Sequence, residues 1–170
     1  MRYIREDIYE CTDEYVVLAG NSVFNTLRCK ELAIIGYTRI KGLAVVDKIL
    51  VIGSGRINIL TCSEGIILGM SSSKKPLVLE NIFCEKLVIA GIRRPVIVQR
   101  VRSAELYVTN SLLGSVDSKK FVVGERVGVR RLSSCEDLVF MDPHVWIEDL
   151  LVKPKKITYA YTIPYTRNKA

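Results

Sequence analysis

The hydrophobic and polar positions of this chain follow a repeat. Apolar quartets, such as the run from Leu32 to Ile35, are each followed by a glycine or polar corner and then by a second short apolar stretch. Successive quartets begin 17, 17, 16, 22, 19, 15 and 17 residues apart. Their first residues, which we call anchors, are Tyr15, Leu32, Ile49, Gly65, Leu87, Leu106, Phe121 and Leu138. A period of this kind predicts stacked structural repeats.

Both parts of the repeat predict β-strands, because they are short, rich in β-branched residues and Leu, and bounded by turn residues. A meandering sandwich would also use short strands, but it would not keep one residue type at one position through successive copies. The sequence therefore predicts an all-β, single-domain β-solenoid of about eight coils. Coil lengths that vary from 15 to 22 residues favour a right-handed helix over the left-handed type built from six-residue units.

The residue before each anchor carries a charge, and from the second coil onward its sign alternates without a break. These residues are Glu31, Lys48, Glu64, Lys86, Glu105, Lys120 and Asp137. Coils stacked in register at about 4.8 Å would place each charge between opposite charges. Glu14, which precedes the first anchor and would lie beside Glu31, is the exception.

The five cysteines, Cys11, Cys29, Cys62, Cys84 and Cys135, include no pair closer than 18 residues, which excludes CxxC zinc and redox motifs. Four of them share one repeat position, where Ser103 and Ser118 replace them in other copies. We interpret this position as one that requires a small side chain, with Cys acting as a small buried hydrophobe. The sequence thus predicts buried, reduced thiols.

The repeat divides the chain into an N-terminal cap at residues 1–13, the solenoid at 14–150 and a C-terminal tail or cap at 151–170. A cap is expected because the open end of a solenoid exposes unpaired strand edges. The polar insert from Met70 to Pro76 predicts a loop at one corner of the longest coil.

The net charge of +7 favours anionic partners. A set of basic residues, which we call the basic stripe, recurs near one corner: Arg39, Arg56, Lys75, Arg94 and Arg126. The stripe could contact nucleic acid, an anionic membrane or an acidic protein, or it could be a solvated corner that discourages aggregation of sheet edges. The acidic start of the chain, with no apolar run near the roughly 18 residues of a membrane span, leads us to expect a cytoplasmic protein.

Catalytic chemistry is not indicated by the sequence. The single histidine, His144, has no marked nucleophile or orienting group. The run from Gly53 to Gly55 resembles a fragment of a phosphate loop, but it lacks the following Gly-Lys-Ser/Thr and falls at a repeat corner. We therefore expect no enzyme, metal, cofactor or small-molecule substrate, and a degenerate solenoid enzyme is the least favoured alternative.

The outer side of the quartets is unusual for a half-buried sheet. Strand alternation sends the second quartet residue away from the core, yet these residues, which we call the outer face, are Val16, Ala33, Leu50, Ile66, Val88, Tyr107, Val122 and Val139. A sheet that is apolar on both sides is normally covered on both. The candidates are the chain's own segment from Tyr159 to Tyr165 and a second molecule, and we favour the second molecule.

A short chain made almost wholly of coils of about 17 residues resembles the bactofilins, which are polymer-forming cytoskeletal proteins. The resemblance covers residues 14–150 and rests on architecture and repeat length. The alternation of Val with Gly that is typical of that family is present in fragments, such as the stretch from Val122 to Val129. It implies nucleotide-free filaments built by end-to-end stacking, sometimes bound to membrane. We therefore predict a self-assembling scaffold that forms a homo-oligomer or filament, and the alternative is a binding module that uses the basic stripe.

Overall fold

The computed structural model describes residues 3–11, 14–70 and 75–161, with the side chains of 3–6 left out. The described residues form a parallel β-solenoid of about eight turns, which confirms the predicted fold class. Its strands are β1 (Tyr3–Glu10), β2 (Tyr15–Gly69), β3 (Leu77–Gly91), β4 (Val96–Thr109), β5 (Ser111–Val123), β6 (Val127–Phe140), β7 (Trp146–Leu150) and β8 (Lys156–Tyr159). The described residues contain no helix, and therefore no helix that could cross a membrane.

Strand pairing follows the predicted register. The parallel neighbours run from β1 to β7 in chain order, while β8 pairs with β6. The anchors lie directly beside one another, with Gly65 opposite Leu87, Leu87 opposite Leu106, and Phe121 opposite Leu138. The apolar pattern therefore predicted which residues stack, even though coil lengths differ.

The core is a stack of inward-facing side chains. Anchors such as Leu87 and Leu106 are buried, and so are the third quartet residues such as Ile89 and Val108. The second strand of each coil closes the core from the other side, as Leu60 and its register neighbour Ile82 do. Alternation of buried and exposed positions continues along each strand, so each coil presents outward side chains to its surroundings.

Glycine is required where successive coils approach each other at the first corner. Gly36 has a φ of 124°, and a Cβ added there would lie 2.4 Å from the carbonyl oxygen of Gly20. Gly53 stacks on Gly36 in the same way one coil later. Both the backbone conformation and the close approach exclude larger residues.

Regular pairing extends beyond the predicted solenoid bounds at both ends. Residues 3–10, expected as a separate cap, form β1 and pair in register with the β2 segment from Asn21 to Arg28. At the other end, β8 adds a rung from within the predicted tail, and Tyr159 stacks on Phe140 with ring centroids 5.4 Å apart. Residues 1–2, 12–13 and 162–170 of the predicted end segments lie outside the described residues, as do 71–74 of the predicted loop.

Candidate functional site

The outer face occupies one side of the sheet that carries the quartets. Ile66, Val88, Tyr107, Val122 and Val139 lie in register on successive coils. Exposure differs along the face: the side chain of Ile66 is 47% exposed and that of Tyr107 is 39% exposed, whereas Ala33 is buried. The remaining members are half-buried, namely Val16, Leu50, Val88, Val122 and Val139.

A groove of about 410 Å³ runs along the N-terminal part of this face. Its apolar lining includes Leu50, Ile66 and Val88. Beneath it, Gly65 is the anchor without a side chain, and a Cβ there would lie 2.9 Å from Cδ1 of Leu87. One border of the groove is charged, and is formed by Glu31, Lys48, Glu64 and Lys86.

These four residues begin the charge column, which we define as the alternating residues that precede the anchors. Strand pairing places Glu64 opposite Lys86, Lys86 opposite Glu105, Glu105 opposite Lys120, and Lys120 opposite Asp137, which confirms the predicted alignment. In the earlier coils the Lys48 ammonium lies 2.9 Å from Oε1 of Glu31. The hydrogen bond to Glu31, followed by the attraction of that carboxylate, raises the pKa of Lys48.

Two features of the column were missed by sequence reasoning. Lys156 of β8 lies opposite Asp137, so the alternation continues for one further coil. Glu14, the exception at the other end, forms an ion pair at 3.2 Å with Lys30, which precedes Glu31 in the chain. Oδ1 of Asp137 is buried and has no hydrogen-bond partner among the described residues.

The expectation that all five cysteines are reduced thiols is wrong for two of them. Cys11 and Cys29 form a disulfide, with their Cα atoms 4.8 Å apart. Their juxtaposition follows from the pairing of β1 with β2, in which Glu10 lies opposite Arg28. Cys62, Cys84 and Cys135 are free and buried, as predicted.

The structure also supplies a reason why Cys and Ser share this position. Ser103 donates a hydrogen bond to the carbonyl oxygen of Glu105 at 2.7 Å, and Ser118 donates to Lys120 at 2.8 Å. The thiols of Cys84 and Cys135 make the same contact with the carbonyl group two residues later, at 3.2 and 3.4 Å. Each acceptor is the backbone of a charge-column residue. In these four coils the position therefore supplies a small donor that holds the corner, in addition to the small volume inferred from the sequence, whereas Cys29 at the same position is in the disulfide.

The free thiols differ in their acidity. The hydrogen bond between Cys62 and Cys84, together with burial, raises the pKa of Cys62. The same hydrogen bond lowers the pKa of Cys84, against the opposing effect of burial. Burial raises the pKa of Cys135 to about 11. Cys84 lies opposite Cys62, whereas Cys135 lies opposite Ser118 and has no thiol beside it in that register.

The basic stripe is not a single column. Arg39, Arg56 and Lys75 line one pocket of about 280 Å³ at a corner. Arg56 forms an ion pair with Glu80, and along the solenoid it lies opposite Val78 rather than a further basic residue.

The other two members of the stripe lie outside regular strand. Arg94 is in the bend between β3 and β4, and Arg126 is in the turn before β6 with a φ of 55°. Arg39, Arg56 and Arg94 each lie seven residues past an anchor, yet Arg94 does not line the pocket that the other two share.

No family model, curated protein or solved structure matches this chain at a significant level.

Groups of metal-ligating side chains and the single histidine are the other places where chemistry could occur. In residues 3–11, 14–70 and 75–161, no three His, Cys, Asp or Glu side chains are grouped so that they could hold a metal ion. The exposed side chain of His144 lies 3.3 Å from Oδ1 of Asp142 in the loop after β6.

Proposed function

We propose that this chain is a non-enzymatic scaffold that self-assembles through its outer face. The observation that carries the proposal is the row of apolar side chains on the side of the sheet opposite the core, of which Ile66 and Tyr107 are exposed and most of the others half-buried. A large apolar patch that is exposed on a soluble protein commonly marks an interaction site.

The path of the C-terminal segment supports a second molecule as the occupant. Residues 156–159 extend the sheet as another rung instead of lying across the outer face, and Tyr159 is engaged with Phe140. The described chain up to residue 161 thus leaves Ile66 and Tyr107 exposed. A second copy offers an apolar surface of the same length.

The more specific proposal is a cytoskeletal role in the cytoplasm, like that of the bactofilins. It is supported by the solenoid architecture and by coils of similar length. Stacking of coil ends is the assembly mode that this resemblance implies, and the outer face adds a lateral mode. Electron microscopy of the purified protein tests the filament directly, because a uniform population of small particles at high protein concentration would contradict it.

The lateral mode is tested by changing Leu50 and Val88 to Lys, which places two charges in the apolar face. We expect the doubly substituted protein to have a lower mass in solution than the wild type, as measured by light scattering. Thr61→Lys is the matched control, because Thr61 is exposed but lies on another part of the coil. A wild-type protein that remains at 19.2 kDa over all concentrations would contradict self-association.

The second candidate function is binding of an anionic partner by the basic stripe. The pocket that brings Arg39, Arg56 and Lys75 together favours it. Binding to vesicles of anionic lipid or to single-stranded nucleic acid should fall steeply with salt, and substitution of Arg39, Arg56 and Lys75 by Glu should abolish it. Binding that does not change with salt, or none at low ionic strength, would remove this candidate.

A further inference from the structure

The charge column is suited to pairing with a copy of itself. It holds eight charges of strictly alternating sign, which are Glu31, Lys48, Glu64, Lys86, Glu105, Lys120, Asp137 and Lys156. Four are positive and four are negative, so the column has no net charge although the chain carries +7.

The column forms one edge of the outer face. Lys86 and Val88 both point away from the core, because buried Leu87 lies between them. The same relationship holds for Glu64 and Ile66, with Gly65 between them. Any molecule that covers the apolar residues of this face therefore meets the column as well.

Symmetry decides what the column meets in a second copy. A two-fold axis that lies in the plane of the face and perpendicular to the column brings the column onto itself in the reverse direction. If the axis passes through a coil, every charge faces a like charge. If it passes between two coils, every charge faces an opposite charge.

Opposite charges select one register. Glu14 precedes the first anchor and lies beside Glu31 without alternating, so it falls outside the overlap, which runs from Glu31 to Lys156 and contains an even number of charges. The axis then lies between Lys86 and Glu105, so that Lys86 faces Glu105 of the second copy. The same operation places Glu64 opposite Lys120, Lys48 opposite Asp137, and Glu31 opposite Lys156. All eight positions are complementary.

We propose that the outer face binds a second copy of this chain in an antiparallel, two-fold arrangement whose register is set by the charge column. This inference rests on the proposed self-association and adds its orientation. Eight coils at about 4.8 Å and a quartet about 13 Å wide give roughly 500 Å² per copy, or about 1,000 Å² in total. That area is near the lower bound for a specific interface, so alignment of the charges matters for its affinity and register.

The test is a charge reversal with a built-in rescue. Lys86→Glu places like charges across the interface twice, once on each side of the axis. Adding Glu105→Lys restores opposite charges between the copies. Repulsion inside the monomer is matched between the single and the double variant. In each of them, two of the three neighbouring pairs of charges from Glu64 to Lys120 have the same sign.

Analytical ultracentrifugation over a concentration series should give a wild-type dimer of twice 19.2 kDa. We expect Lys86→Glu to raise the dissociation constant about tenfold, and the double variant to restore it to within about threefold. Arg100→Glu is the control, because Arg100 is exposed, lies outside the column and undergoes the same change of charge. Thermal unfolding of each variant verifies that it is folded, and Glu105→Lys serves as the single variant if Lys86→Glu is not.

The outcomes separate this inference from the proposed function. A dimer that responds equally to Lys86→Glu and Arg100→Glu, or that the double variant fails to restore, would overturn the antiparallel register and leave self-association intact. A mass that grows beyond the dimer even at the lowest concentrations would also overturn closed two-fold pairing, whereas growth that begins only at high concentration is the end-to-end stacking of the proposed function. A monomer at every concentration would overturn both proposals.

Discussion

Lys156 lies opposite Asp137 in the pairing of β8 with β6, and it gives the charge column its eighth member. In the proposed register Lys156 faces Glu31 of the second copy, so it provides two of the eight complementary positions of the dimer. A shift of the axis by one coil, to between Glu64 and Lys86, would leave Lys156 without a partner and place Glu14 opposite Asp137, which is a like charge. The last described strand therefore favours the proposed register over the neighbouring one.

Substitution of Lys156 by Glu should weaken the proposed dimer. The new carboxylate would face Glu31 of the second copy and would also lie beside Asp137 of its own chain. We expect a dissociation constant several times higher in sedimentation experiments at low salt, since single exposed pairs contribute up to about 1 kcal/mol. Lys153→Glu, which changes an exposed Lys outside the column, is the control, and equal effects of the two substitutions would contradict this role of Lys156.

Removal of the corner donor at Ser103 should destabilise the solenoid. Ser103→Ala leaves the carbonyl group of Glu105 without its side-chain donor, and we expect a loss of about 1–3 kcal/mol in the free energy of unfolding. Ser103→Cys retains a weak donor of the kind found at Cys84, so it should lose less. Urea denaturation measures both, with the exposed Ser134→Ala as control. If Ser103→Ala cost no more than Ser134→Ala, the position would require only small volume.

Thiol titration should distinguish two classes of cysteine. Protein unfolded without reductant should expose three reactive thiols, those of Cys62, Cys84 and Cys135, and reductant should release two more. In the native protein the three buried thiols should react much more slowly than in denaturant, because access to them requires local opening. Five thiols in unreduced protein would contradict the disulfide. Trapping of thiols in cells adds a test of location, since disulfides seldom persist in the cytoplasm.

Alkaline conditions should weaken the fold through Cys135. Its pKa is raised to about 11 in the folded protein from the usual value of 9.0, so between these values the unfolded chain loses a proton that the folded chain retains. The associated stability is fully present below pH 9 and is lost as the pH rises from about 9 through 11.

The measurement for Cys135 is the urea midpoint at roughly pH 8 and pH 11, in a background with Cys11 and Cys29 changed to Ser so that no disulfide exchange occurs. Cys135→Ser in that background should reduce the loss of stability with pH. Part of the loss of stability with pH should remain in this variant, because the pKa of Cys62 is also raised in the folded protein. Identical pH dependence with and without Cys135 would show that its burial contributes nothing.

Stacking was predictable from the sequence because it repeats with every coil. The inward position of Leu87, the outward position of Val88 and the charge of Lys86 each recur, so a register shift would break several patterns at once. Features that occur once carried no such signal. Lys156 follows a break in the repeat, and the pairing of Cys11 with Cys29 depends on β1, whose alternation is poor.

The corner hydrogen bonds were missed for a different reason. The sequence shows Cys in some coils and Ser in others at one position. A need for small volume and a need for a hydrogen-bond donor would each explain this replacement. Only the contact of Ser103 with the Glu105 carbonyl oxygen distinguishes them. The basic stripe was the opposite case. Arg39, Arg56 and Arg94 share one distance from their anchors, which suggested a column, but Arg94 lies in a bend and does not line the pocket that Arg39 and Arg56 share.

The length of a coil can change in this chain without a change in the register of its strands, and the longest coil shows this. The backbone N–H of Met70 donates to Gly53, and that of Gly55 donates to the carbonyl oxygen of Pro76, so both ends of the insert are held by the preceding coil. Directly after it, Leu77 lies opposite Gly55 and Val78 lies opposite Arg56 in the regular register. Residues can therefore be added at this corner without moving a single rung, which makes it a natural place to graft a peptide, a fluorophore or a second domain onto an otherwise unchanged solenoid.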